Sequence, residues 1–287
     1  MLGDRRDPAL VLIHGFGAAS GHWRHNAAGL ARAGWCVYAI DLLGFGASSQ
    51  PGHHHRSPLD NRLWARQLQA FLEEVVEAPA VLVGNSLGSL VALTCAVFFP
   101  AWVQAVVAAP LPDPTLLMPL RRRRPRWRRR LGRHGVVWLC RLLPLELLVP
   151  LIVRTPLLSL GLHSAYSDPQ AVDGELRRLV AQPARRSGAA RALRAMSIGM
   201  ALRPRAATAA PLLERMEQPL LVLWGSEDRL VPVQISERLR VHKPDLQLNL
   251  LPRLGHCPHD ERPALFNQTV LQWLCDRPGS PRAPADA

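Results

Sequence analysis

Short, wholly apolar runs alternate in this chain with longer stretches of helical pattern, and that alternation limits its folds more than any other feature. Ala9-Leu10-Val11-Leu12-Ile13 is followed by a Trp-containing helical pattern over about residues 22–33. Cys36-Val37-Tyr38-Ala39-Ile40 precedes a helical stretch that Ser57-Pro58 opens and that runs to about residue 77. Ala80-Val81-Leu82-Val83 leads into a strongly apolar helix over 87–99, and residues 103–108 form a fourth apolar run. The rhythm resumes with a strand over 220–224, a helix over 234–241, a strand over 246–250 and a helix over 264–275. Strands apolar on both faces and separated by helices require a parallel sheet covered on both sides. The fold class is therefore α/β.

Between about residues 111 and 205 the rhythm is lost. That block is too apolar for a structureless loop of its length and holds a basic, Ala-rich helical stretch over 184–202. It reads as an inserted helical cap. The expected organisation is a core in two parts, 1–110 and 208–275, a cap over 111–207, and a Pro/Ala/Gly-rich tail over 276–287 that is expected to be disordered. With 48% hydrophobic residues there is apolar material for a sizeable core, which excludes a disordered chain or a disulfide-held miniprotein.

Four places carry chemistry. Val83-Gly84-Asn85-Ser86-Leu87-Gly88 lies between a strand and a helix, the context of a Gly-x-Ser-x-Gly nucleophile elbow. Such a turn leaves no room for side chains at Gly84 and Gly88 and lifts the Ser86 hydroxyl to the strand's C-terminal end. The helix that follows adds positive potential where an oxyanion would form. His14-Gly15-Phe16-Gly17 closes the first strand, and its glycines allow the Phe16 N–H to pair with the Leu87 N–H as an oxyanion hole. A dinucleotide loop would need a third glycine where Ser20 stands. Trp224-Gly225-Ser226-Glu227-Asp228 sets a carboxylate after a late strand, and Leu254-Gly255-His256 sets an imidazole after the last one. A serine hydroxyl is a weak nucleophile until a base takes its proton, and the base needs an acid to fix its tautomer. Chain order favours Asp228 as that acid. Asp113, just beyond the fourth strand, and Glu227 are its rivals.

These motifs together resemble the α/β-hydrolases over residues 8–110 and 208–275. A closer likeness, to the pheophytinase and chlorophyll dephytylase branch of cyanobacteria and chloroplasts, rests on Gly84 to Gly88, on Asp41-Leu42-Leu43-Gly44-Phe45-Gly46, and on Gly255-His256-Cys257-Pro258-His259-Asp260-Glu261. The resemblance implies the α/β-hydrolase fold and a Ser86-His256-Asp228 triad that hydrolyses a carboxylic ester through an acyl-enzyme. A long isoprenoid alcohol on a chlorin is one implied substrate. Two departures stand out. Ser89 occupies the place of a second glycine and is expected to narrow the floor of the site. The chain also begins almost at its first strand, without the usual N-terminal hairpin. A serine nucleophile suits acyl transfer, and no cofactor is called for. His53-His54-His55 lies in a Pro/Gly/Ser loop without carboxylate or cysteine partners, so no metal site is expected. A carbon–carbon or thioester hydrolase, and a non-catalytic ligand-binding or scaffold protein, are the alternatives on the same fold.

The formal net charge is +13, and 34 of the 35 basic residues are arginine. Eight arginines fall within residues 121–130, followed by a Leu-rich stretch over 136–162. The expected partners are a small apolar ester in a Leu-lined cleft and, for the arginine run, anionic lipid head groups. Nucleic acid ranks last, because Trp127 is the only aromatic in the run and no base-reading motif accompanies it. Five cysteines without a CxxC pair point to a reducing compartment, and no apolar signal segment opens the chain. The expected location is cytoplasmic, with peripheral contact at a membrane surface.

Overall fold

A computed structural model describes residues 1–52, 58–117 and 126–276. The histidine triplet, residues 121–124 of the arginine run and the tail from 277 lie outside the described residues. Six parallel strands form one sheet: β1 (Ala9–Ile13), β2 (Cys36–Ile40), β3 (Ala80–Asn85), β4 (Val103–Ala109), β5 (Leu220–Gly225) and β6 (Gln247–Leu251). Their order across the sheet is β2-β1-β3-β4-β5-β6. The winding direction reverses at β1, which pairs with β2 on one side and β3 on the other. In such sheets ligands bind at the carboxyl ends of the strands beside that reversal. The register places Ile13 opposite Gly84 and Gly84 opposite Ala108, so the loops leaving β1, β3 and β4 emerge side by side.

Alternate residues of each inner strand feed two separate cores. Val11 and Ile13 join Leu82, Val106 and Val222 on one face; Leu10 and Leu12 join Val83, Val107 and Leu221 on the other. The first face is covered by α2 (Asn61–Phe71) and α3 (Leu87–Phe98), the second by α1 (Ala27–Arg32) and the C-terminal helix Pro263–Cys275. Ten of the twelve residues of α3 are buried, as expected of a helix apolar on all sides.

Differences from the expected elements are local. The helical pattern over 22–33 divides into a 3-10 turn, Ser20–Trp23, and α1. The α2 helix starts at Asn61, where Asp60 caps it by accepting the Arg62 N–H. β3 runs two residues further than its apolar run, because Gly84 and Asn85 keep pairing with β4.

The described residues between β4 and β5 hold the helices α4 (Arg126–Leu142), α5 (Leu145–Arg154), α6 (Leu157–Ala165), α7 (Gly174–Ala184), α8 (Ala189–Leu202) and α9 (Ala209–Leu213). Ala192, Ala195 and Met196 of α8 pack into the first core, fastening the insertion to the sheet. The remaining helices are α10 (Ser236–His242), α11 (Pro258–Glu261) and α12 (Pro263–Cys275). Among the described residues no single helix is long and apolar enough to cross a membrane; His134–Leu142 and Leu145–Arg154 reach that length only as a pair bent by 66°.

Trp224 is fully buried at the end of β5 and donates its indole N–H to the Val231 carbonyl at 3.1 Å. Replacing it by alanine is expected to lower stability by about 3–5 kcal/mol in urea unfolding, because the cavity removes packing from the strand that carries the Asp228 loop.

Candidate active site

Ser86 sits where β3 turns into α3, with φ 53° and ψ −112°. A non-glycine residue held there stores strain of about 1–3 kcal/mol, a feature that clusters at functional sites. Two close approaches impose the turn. A Cβ on Gly84 would collide with the backbone of Gly88 and Ser89, and one on Gly88 with the Ile13 carbonyl. Ser86 makes no side-chain capping bond to α3. The Ser86 N–H instead donates to the Ala109 carbonyl at 3.1 Å, fixing the elbow to β4. Ser89 is fully buried behind the elbow, donating to the Gly84 carbonyl at 2.7 Å and accepting the Ala109 N–H at 3.0 Å.

The structure brings Asp228 and His256 together. His256 Nδ1 lies 2.9 Å from Asp228 Oδ2, with both residues buried. Asp228 Oδ1 accepts the N–H groups of Leu230 and Val231, each at 2.9 Å. A carboxylate only accepts, so Nδ1 is the donor in this bond, and in the neutral ring Nε2 is the nitrogen left to accept a proton. The two rival carboxylates stand elsewhere. Asp113 accepts from Arg203 at 2.8 Å, from the Ala209 N–H at 3.1 Å and from both the amide and hydroxyl of Thr115. Glu227 is exposed.

Asn85 joins the two halves of the site. Its amide nitrogen donates to the Ala109 carbonyl at 2.6 Å and to the His256 carbonyl at 3.1 Å, so the residue preceding Ser86 holds the histidine backbone. The Gly-x-Ser-x-Gly pattern leaves position 85 open; the signal in the sequence is a polar residue ending an otherwise buried strand.

The loop after β1 lies against the same elbow. A Cβ on Gly15 would stand 2.6 Å from Asn85 Oδ1 and 3.4 Å from Ser86 Cβ. His14 sets this loop. Its Nε2 accepts the Leu42 N–H at 3.1 Å, so its Nδ1 donates to the Gly15 carbonyl at 2.7 Å. The Ala18 N–H bonds the same carbonyl, and across a planar trans peptide the Phe16 N–H must point the opposite way. Burial pushes the His14 imidazole down to about 4, which keeps it neutral and able to accept from Leu42. Asp41 completes the loop pair by accepting from the N–H groups of Ser20 at 2.6 Å and Ala47 at 2.8 Å. Leu87 is the first residue of α3, so its N–H has no acceptor within the helix. The Phe16 ring is 61% exposed beside this loop and meets Phe45 edge-on.

The carboxylates of the Gly255–Glu261 run do structural work. Glu261 accepts from Gly255 N–H at 2.8 Å, from Ser167 N–H at 2.9 Å and from the Ser167 hydroxyl at 2.6 Å. Asp260 accepts from the Tyr166 hydroxyl at 2.8 Å, which accepts in turn from His22 Nε2, and Arg24 lies 3.0 Å from the same carboxylate. The His256 N–H donates to the Ala165 carbonyl at 2.8 Å. The histidine loop is thus fastened to the end of α6. His259 sits in an aromatic niche, 4.1 Å from Trp23 and 6.0 Å from Phe266, with neither ring nitrogen bonded. Burial holds its imidazole well below the ordinary histidine range, and His22 adds to the effect.

The sequence matches the model of the "Alpha/beta hydrolase family" over residues 10–269, and the chain belongs to that family. It is similar to a 2-hydroxy-6-oxononadienedioate/2-hydroxy-6-oxononatrienedioate hydrolase of Burkholderia vietnamiensis, 27% identical over 277 residues that span 93% of this chain and 86% of the relative. Among solved structures it resembles a membrane phospholipase A described as a bacterial virulence factor. That match has a TM-score of 0.72 and 27% identity, over 96% of this chain and 81% of the other. A thermophilic esterase from Thermogutta terrifontis shares the fold at a TM-score of 0.68 and 21% identity, over 96% of this chain and 91% of that one. The family shown is that of the α/β-hydrolases, and the relatives named here are hydrolases.

Two outcomes follow from the geometry. Asp113→Ala is expected to cost about 3–5 kcal/mol, because it removes one partner of a buried ion pair, while the folded fraction keeps its reactivity toward a fluorophosphonate. The second concerns pH. Unfolded histidines bind protons as pH falls through 6.5, whereas folded His14 resists until about 4 and His259 until well below 6.5. The unfolded state therefore binds more protons in this window, and stability falls as pH falls, by about 1.4 kcal/mol per pH unit for each such histidine. Urea titrations between neutral pH and pH 5 should show this slope, and His259→Phe should remove one histidine's share of it.

Proposed function

We propose that this protein is a serine hydrolase that cleaves a carboxylic ester with a bulky apolar group. The single observation that carries the reading is the buried Asp228–His256 bond tied through Asn85 to the strained Ser86 elbow. His256 Nε2 takes the Ser86 proton as Oγ attacks the ester carbonyl, and Asp228 balances the imidazolium that forms. The N–H groups of Phe16 and Leu87 receive the oxyanion, in a loop pre-set by His14. Collapse of the tetrahedral intermediate expels the alcohol with the proton from His256 and leaves Ser86 acylated. Water activated by the same imidazole then releases the acid. No cofactor takes part in these steps.

The exposed Phe16 ring beside the oxyanion loop supports an apolar substrate, and the helical insertion serves as its cap. The likeness of the Gly84–Gly88 and Gly255–Glu261 segments to the pheophytinase branch makes an isoprenoid ester one candidate. A second reading keeps the machinery and changes the bond to carbon–carbon, as the Burkholderia vietnamiensis relative suggests. A dienedioate carries two carboxylates, so that reading calls for cationic partners in the substrate cleft.

Fluorophosphonate labelling tests the chemistry. Wild type should label, Ser86→Ala should not, and Asp228→Asn should lose activity by about 10³–10⁴-fold with the fold intact. A folded wild type that stays unlabelled would favour a ligand-binding role. A panel from short p-nitrophenyl esters through long-chain esters to pheophytin and a 2-hydroxy-6-oxo dienoate separates the bond types. Faster turnover of the dienoate than of every ester would reject the ester reading.

A further inference from the structure

The outer side of the insertion is unlike the rest of the surface. Trp138, Leu142 and Leu147 are 60%, 73% and 73% exposed, and Leu151 and Leu160 are also exposed. On α5, Leu147, Leu151 and Arg154 follow at i, i+4 and i+7, so an apolar stripe runs along one helix face into an arginine. There a groove of about 620 Å³ opens between α5, α6 and α7. Arg154, Arg177, Arg178 and Arg185 line it with Thr155 and Ser159, and no carboxylate lines it. Among the described residues no acidic side chain pairs with any of these four arginines. The nearby Asp173 and Glu175 face Arg24 instead. By sequence, the first eight residues of α4 carry five further arginines before its apolar half begins.

Exposed leucines beside guanidinium groups that lack an acidic partner are stable where apolar chains and anionic oxygens meet. We propose that this face seats the protein on an anionic bilayer surface, with the Leu147–Leu151 stripe and Trp138 entering the head-group boundary and the arginine groove taking lipid phosphates. Amphipathic helices bind such interfaces by apolar burial plus electrostatic attraction, and tryptophan favours that depth. Each basic residue near an anionic leaflet adds to the attraction. A second copy of the chain fits poorly, because a two-fold contact would set like charges against one another. Nucleic acid would satisfy the arginines and leave the leucines in water. The inference stands apart from the catalytic reading.

Flotation with phosphatidylcholine vesicles, with and without phosphatidylglycerol, tests it. Wild type should float with the anionic vesicles at low salt, less at physiological salt, and at least about ten-fold less without phosphatidylglycerol. The pairs Leu147→Ser/Leu151→Ser and Arg154→Gln/Arg178→Gln, all at exposed positions, should each weaken binding by about ten-fold or more while circular dichroism stays unchanged. Arg32→Gln, in the separate groove between α1 and α12, should bind as wild type. A blue shift of tryptophan emission on vesicles should vanish in Trp138→Phe. Failure of wild type to float at low salt overturns the proposal, as does flotation unaffected by both pairs. Calorimetric binding of inorganic phosphate without flotation would mean a free-phosphate site and overturn it. So would a dimer in sedimentation velocity that Leu147→Ser/Leu151→Ser abolishes, with no vesicle binding.

Discussion

The candidate site depends on how closely β3 can approach its neighbours where it turns into α3. With glycine at 84 and 88, the backbone of the elbow rests on the Ile13 carbonyl and on its own first helical turn. A side chain at Gly84 would push the first turn of α3 away from β3, and one at Gly88 would lift it off β1. Ser86 takes a strained conformation because its neighbours leave it no other, and Ser89 and Asn85 then bind the elbow to Ala109 at the end of β4. The strain is held by hydrogen bonds and packing on three sides, a condition for its persistence.

From that anchor the other loops are placed in sequence. Asn85 holds the His256 carbonyl, Ala165 holds the His256 N–H, and Asp228 holds the ring. The imidazole is thereby fixed at its backbone on both sides and at one ring nitrogen, leaving Nε2 as the variable atom. On the opposite side His14, kept neutral by burial, sets one peptide of the β1 loop. Two histidines serve one site in different capacities. His256 is bonded to a carboxylate that can balance its positive charge, while His14 faces backbone groups that require it to stay neutral.

The insertion belongs to the same construction. Tyr166, Ser167 and Asp168 receive the carboxylates of the histidine loop, so α6 and the loop carrying His256 are one assembly. Its α4 and α5 helices carry the exposed side chains Trp138, Leu142, Leu147 and Leu151. The insertion is thus tied by buried carboxylates to the loop that carries His256.

Much of the fold was legible in the sequence, because strands buried on both faces and all-apolar helices such as α3 carry their periodicity with them. The Gly84–Gly88 spacing likewise marks the elbow, since sterics at a tight turn are a local matter. Chain order favoured Asp228 without excluding Asp113. Only the tertiary structure shows what each one meets: Asp228 bonds the His256 ring, and Asp113 bonds Arg203 and the start of α9. The roles of Asn85, His14, Ser89 and Glu261 were decided there too. Each bonds a partner brought near by sheet order and register, and a sequence records which groups need a partner but not which one the folded chain sets within 3 Å.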